Sequence, residues 1–316
     1  MPLLKALISK FVHVLCVLLG ITLISFVLAN MSPVDPAEAY AKRHYKGAGE
    51  ERIAEVRKEL GFDKPVPEQY LSWLQQAVCL DFGESYLTHK PVRQEMARAL
   101  PTTLNIAMLA AVLILLIAVP LGILAAEREG GPVDFLVSAI AFLSLSIPGY
   151  FLGLLCVFLF GFQLKLFPVI GHGHPLSIMF AALVLAFPMI GSLAKMLRTL
   201  LLEYRQRDFV TYALARGISK RRIMWRHLLR NAAAPCVTMF GQNIGYLIAG
   251  TAVVETIFSC AGVGTYALNG ALNRDFPVIT AYILIMALFF VFCNLGADLA
   301  GMLLNPKTRK AQENRI

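Results

Sequence analysis

Apolar residues gather into six runs of membrane length, at positions 11–31, 102–126, 133–162, 175–194, 232–254 and 277–304. A bilayer core about 30 Å thick takes about 20 such residues per helix, so the pattern predicts six crossing helices. The longest polar segments are an extended one at 32–100, a basic one at 204–235 and a tail at 305–316. Within 32–100 the pattern turns amphipathic. Ile53, Val56 and Leu60 recur at helical spacing, and Gly61 can end that helix. Tyr70, Leu71, Leu74 and Val78 form a second such stretch. The segment therefore reads as a small helical domain of its own, either a structured cap or a docking face for an external partner.

Composition agrees with the pattern. The chain is 57% hydrophobic and 16% charged, where a soluble domain carries about 25% charge. Its mean hydropathy is +0.65. The fold class is all-α integral membrane protein. The first run follows Lys5 and Lys10, as in a signal peptide, but its apolar stretch exceeds the usual 7–15 residues; it reads as a retained first helix.

The net charge of +9 does not imply nucleic acid, because basic loops are the ordinary signal of membrane orientation. Positions 195–230 hold ten Lys and Arg against two acids, Glu203 and Asp208. Lys307, Arg309, Lys310 and Arg315 lie in the tail. With six crossings, both termini fall on the side of the basic segment, which the positive-inside rule makes cytoplasmic. Segment 32–100 is then extracytoplasmic. None of the six cysteines forms a C-x-x-C pair, so neither a zinc site nor a disulfide framework is indicated.

The apolar runs contain almost no ionisable residue; Glu255 and Asp298 sit near span ends. Ion-coupled carriers keep such groups near the midplane, so the pattern argues against an ion gradient as the energy source. No G-x-x-x-x-G-K-[ST] phosphate-binding loop occurs. Active transport would need a motor on another polypeptide, and that motor needs a surface to grip. In the basic segment, Asp208 is placed to cap a helix over 209–216, Gly217 to end it in a left-handed conformation, and Ser219 to cap a second helix over 220–230. Asn231 and Pro235 then lead into the fifth span. Small Ala213 and Ala215 would let a partner approach the first helix closely. The same spacing also fits an amphipathic connector lying on the lipid surface.

These residues resemble the signature loop of binding-protein-dependent ABC importer permeases, in its dipeptide, oligopeptide and nickel branch. That pattern, D-Y-V-x-x-A-x-A-x-G-x-S then H-x-x-R-N-x-x-x-P, is matched by Asp208, Val210, Ala213, Ala215, Gly217, Ser219, His227, Arg230, Asn231 and Pro235, with Phe209 for the tyrosine. Leu60-Gly61-Phe62-Asp63-Lys64-Pro65, Asp81-Phe82-Gly83-Glu84-Ser85, Leu100-Pro101-Thr102-Thr103-Leu104, Asn273-Arg274-Asp275-Phe276-Pro277 and Leu304-Asn305-Pro306 are similar to further motifs of that branch. Cys260-Ala261 stands where the family has Trp-Pro.

The resemblance implies an ABC type I importer permease fold with spans from 101 to 304, no ATPase site of its own and no cofactor. It implies a second permease subunit as heterodimer partner, two ATPase subunits that grip Asp208, Ala213, Ala215, Gly217 and Ser219, an external solute-binding protein, and a bacterial inner-membrane location. Nickel, a metal chelate or a small peptide are the solutes implied. Gln242, Asn243 and Asn294 are candidates for the solute path or for interhelical hydrogen bonds. His172 and His174 are weak metal candidates or a polar turn. Gly149 with Gly153, and Gly241 with Gly245, can serve contacts within the chain or between subunits. The alternative function is a self-sufficient channel or gradient-driven carrier.

Overall fold

The computed structural model describes residues 2–30, 35–45, 47–170 and 173–304. Among them every regular element is helical. The order is α1 (Pro2–Asn30), α2 (Pro36–His44), α3 (Glu50–Glu59), α4 (Val66–Val78), α5 (Val92–Glu127), α6 (Pro132–Ser146), α7 (Gly149–Cys156) and α8 (Pro175–Arg205). There follow α9 (Asp208–Ala215), α10 (Lys220–Ile223), α11 (Leu229–Ile257), α12 (Val263–Leu272) and α13 (Phe276–Leu304). Two π-helical segments join neighbours without a break: Val157–Gln163 extends α7, and Met224–Leu228 links α10 to α11.

Among the described residues, four helical stretches are long and apolar enough to cross a membrane: Val92–Glu127, Pro175–Arg205, Lys220–Ile257 and Phe276–Ala297. The expected span at 133–162 is not one rod. It breaks between α6 and α7 with a 102° bend. The cause is Ile147-Pro148: proline has no N–H for the helix and holds the residue before it out of the α region, and Ile147 is extended at ψ 120. Counted as one broken span, the pair brings the total to five. The first expected span falls on α1, a single helix from Pro2 to Asn30.

The chain divides into two compact units. The first holds residues 1–103 and 261–289, the second residues 104–260 and 290–316. In the first unit, Val56 of α3 packs with Ala37 and Ala41 of α2. The two amphipathic helices expected between 32 and 100 are α3 and α4, and Gly61 after α3 has φ +73 as its stop position requires. A second cluster joins Ala77, Phe82, Val92 and Met96 to Val263 and Val278.

The second unit is a helix bundle whose largest core runs from Ile106 and Ile114 of α5 to Leu193 of α8 and Val254 of α11. Small residues set its close approaches. A Cβ on Gly241 would lie 2.5 Å from that of Ala297, and one on Gly245 would lie 2.5 Å from the Phe290 ring. That glycine pair therefore serves contact between α11 and α13 of one chain. Gly153 meets Ile257, whereas nothing lies within 4 Å of a Cβ on Gly149.

Candidate functional site

The second unit carries the basic segment on the ends of α5, α8 and α11. Just before α9, Glu203 at the end of α8 pairs with Arg207 at 2.6 Å. Arg207, not Asp208, is the N-cap of α9, and its side chain makes no capping hydrogen bond. Asp208 is instead the first helical residue. Its charge still lies at the positive end of the helix dipole, which is why the residue type suits either position.

The other end of α9 closes as a Schellman motif. The Ile218 N–H donates to the Ala213 carbonyl at 3.1 Å and the Gly217 N–H to the Leu214 carbonyl at 2.9 Å. Gly217 has φ +74, a conformation in which a Cβ is disfavoured. Ser219 Oγ then accepts from the Arg222 N–H at 3.4 Å and starts α10. Helix 220–230 is not a separate element. Lys220–Ile257 is continuous, and Asn231 and Pro235 lie inside it. Asn231 Nδ2 donates to the His227 carbonyl, as a residue inside a helix does. The π-helical segment at Met224–Leu228 carries the extra residue that such a stretch inserts, a feature common at functional sites.

One expectation about α9 is corrected. Ala213 does not face outward. It is 6% exposed and packs with Val210 into a cluster with Ile123, Leu197, Leu201 and Ile223. Residues 210 and 213 sit three apart on one helix face, and that face is the inner one. The outward face presents Phe209, Tyr212 and Ala215. Tyr212 is 65% exposed, with the Arg216 guanidinium 5.7 Å from its ring centre. The accessible surface of α9 therefore carries two aromatics, with Thr211, Leu214 and Ala215 beside them.

The other candidates are spread more widely. Asn243 Nδ2 donates to the Met239 carbonyl at 2.7 Å and Asn294 Nδ2 to the Phe290 carbonyl at 2.8 Å. Both amides bond back to their own helices, while Gln242 is exposed. His174 is the N-cap of α8, and its Nδ1 accepts from the Leu176 N–H at 3.3 Å. His172 lies outside the described residues. Among the described residues no group of three or more His, Cys, Asp or Glu is placed to hold a metal.

Two polar constellations escaped the sequence reading. In the second unit, Arg198 of α8 donates to both carboxylate oxygens of Asp134 on α6, at 2.8 and 2.7 Å. The Gly130 N–H adds a third bond at 2.9 Å. In the first unit, Ser85 Oγ donates to Asp275 Oδ2 at 2.5 Å and the Leu87 N–H to the same oxygen at 3.2 Å. Asp275 is 1% exposed. Nearby, the Tyr266 hydroxyl is pushed up to about 12, by burial first and then by the Asp275 carboxylate. The Asp81–Ser85 and Asn273–Pro277 motifs are thus joined through one buried carboxylate. Their wide separation in sequence hid the link.

The turn with Cys260-Ala261 is held by backbone. The Cys260 N–H donates to the Glu255 carbonyl at 2.7 Å, and Ser259 before it takes a left-handed φ of 53.

Residues 118–310 match the family described as binding-protein-dependent transport system inner membrane component. Residues 3–107 match the N-terminal region of such membrane components. The chain belongs to this family. The permease is similar to the oligopeptide transport system permease protein AppB of Bacillus subtilis, at 33% identity over 92% of this chain and 95% of that one. It is 32% identical to a putative peptide transport system permease protein of Brucella abortus, over 93% and 95% of the two chains. It is 29% identical to the metal-staphylopine import system permease protein CntB of Staphylococcus aureus, over 97% and 98%. A solved structure of the inward-facing methionine ABC transporter MetNI superposes with a TM-score of 0.56 at 18% identity, covering 66% of this permease and 96% of that chain. That likeness supports the type I importer fold.

Proposed function

We propose that this permease forms half of the translocation pore of an ABC importer. A second permease subunit completes the pore, two ATPase subunits sit on the cytoplasmic side, and an extracytoplasmic binding protein delivers the solute. The observation that carries this reading is the construction of α9. A helix of about two turns, fixed at one end by the Gly217 turn and along its inner face by Val210 and Ala213, cannot bend independently of the bundle. Force applied to Phe209 and Tyr212 passes directly into α5, α8 and the continuous helix 220–257. That is the property a motor on another chain needs in its handle.

The six-span arrangement, with both termini in the cytoplasm and 32–100 outside, belongs to this proposal. Of the five docking residues the resemblance implies, Asp208, Ala213, Ala215, Gly217 and Ser219, all but Ala213 lie on the accessible side. Phe209 and Tyr212 supply the exposed surface, and Ala213 supports it from below. The solute is nickel or a metal chelate, or a small peptide. The named relatives support both classes: two carry peptide transport in their names and one metal-staphylopine import.

The test is a complex reconstituted with its ATPase and binding protein. Tyr212→Ala with Phe209→Ala should abolish ATP-driven uptake while the protein still inserts and melts as the parent does. Solute flux through liposomes holding this permease alone would instead establish the channel or carrier reading. Calorimetry of the binding protein with nickel, with and without chelators, and with dipeptides separates the solutes.

A further inference from the structure

The second unit contains a cleft of about 950 Å³ beside α9. Its floor is apolar: Ile123 and Leu124 of α5, with Met224 and Leu228 of the π-helical segment. Its rim is basic, formed by Arg205 at the end of α8 and by Lys220 and Arg221 at the start of α10. Among the described residues none of these three cations is in an ion pair. Glu127 is the one acid in the lining, against those three. Trp225 also lines the cleft and is 55% exposed.

The lining specifies an amphipathic anion. Three cations within one rim favour a phosphate, and their unpaired state means that a phosphate displaces no existing partner. A free phosphate would leave the apolar floor in water. A lipid tail would cover it, at about 25 cal/mol for each Å² of apolar surface removed from water. The location fits as well. α5 and α8 are membrane-length helices, and the cleft lies where both end, at the depth of headgroups. Tryptophan is enriched at that depth, and basic pockets between helix ends suit anionic headgroups.

We propose that this cleft binds one anionic phospholipid, with its phosphate on Arg205, Lys220 and Arg221 and the upper part of an acyl chain along Ile123, Leu124, Met224 and Leu228. Buried Val210 and exposed Leu214 of α9 also line the cleft, so the lipid touches one flank of the proposed handle. The inference rests on α5 and α8 crossing the bilayer and requires no transport partner. It can therefore fail while the importer reading stands, and the converse also holds.

The chain has two tryptophans, Trp73 and Trp225, so Trp73→Phe leaves Trp225 as the only indole. The full-length Trp73→Phe protein is reconstituted in nanodiscs containing brominated phosphatidylglycerol or, at equal mole fraction, brominated phosphatidylcholine. Bromine quenches indole fluorescence only at contact range. The expected result is stronger quenching by the glycerol lipid. The preference should fall by about tenfold or more in the Arg205→Gln, Lys220→Gln, Arg221→Gln variant, since each cation near a headgroup is worth about 1 kcal/mol and 1.4 kcal/mol is tenfold. Equal quenching by the two lipids, or a preference that survives the triple substitution, overturns the proposal. Native mass spectrometry of the protein with both tryptophans, from mixed vesicles of the same two lipids, is the second reading. Retained phosphatidylglycerol that the triple variant loses supports the site, and equal retention in both proteins overturns it.

Discussion

Ala213 and Ala215 are chemically identical and two positions apart, which on a helix places them on opposite faces. The structure gives them different work. Ala213 fills a gap between Val210 and the cluster around Leu197 and Leu201, so Ala213→Leu forces extra methylenes into a packed site. It should destabilise the protein by about 1–3 kcal/mol, read as a lower melting temperature in detergent. Ala215→Leu should leave melting unchanged and lower only ATP-driven uptake. Gly217 is a different case. Nothing lies within 4 Å of a Cβ built there, so the cost of substitution is backbone strain alone. Gly217→Ala should cost about 1–2 kcal/mol. Gly217→Asn should cost less, because asparagine tolerates the left-handed region. Asp134 matters through its partner. Asp134→Asn leaves the Arg198 guanidinium, with its side chain only 21% exposed, beside a neutral group. A loss of about 3 kcal/mol is expected. The exchange Asp134→Arg with Arg198→Asp should recover part of it if charge pairing is the cause.

Between elements, the buried Ser85–Asp275 bond ties the loop after α4 to the start of α13. Ser85→Ala removes a donor from a carboxylate that, among the described residues, has one other donor, the Leu87 N–H. A loss of about 1.5–3 kcal/mol is expected for a hydrogen bond to a charged group. Faster amide exchange should be confined to residues 81–91 and the first turn of α13. An unchanged exchange pattern would show that the bond contributes nothing. This site also marks the limit of what the chain reveals as a string. Apolar run length located α5, α8, α11 and α13, because membrane crossing needs little beyond length and composition. The Gly217 turn was legible because left-handed backbone selects glycine. Three features were not legible. The break at Ile147-Pro148 sits inside an uninterrupted apolar run, where proline can bend a helix or end it. The inward face of α9 depends on which side α5 and α8 occupy. The pairing of Asp134 with Arg198 joins residues 64 apart, and no local pattern encodes such a distance.

For the whole molecule, orientation in the bilayer decides whether α9 can meet an ATPase at all, and two cysteines make it measurable. Cys79 follows α4 and is exposed. Cys260 is buried at 1% exposure, and burial, with Glu255 as a lesser cause, pushes its thiol up to about 11. At neutral pH, then, Cys260 is both enclosed and protonated, and the thiolate is the reactive form. Cys16, although exposed, lies within the apolar stretch Val14–Val27, where a charged reagent does not enter. A membrane-impermeant maleimide added to intact spheroplasts should therefore label the permease at Cys79, and Cys79→Ser should remove the signal. If 32–100 faced the cytoplasm, labelling would appear only after permeabilisation. The basic residues of 195–230 would then lie outside, against the positive-inside rule, and α9 would be out of reach of any cytoplasmic motor. A single labelling experiment thus tests the side of the membrane on which the handle lies, before any partner or solute is in hand.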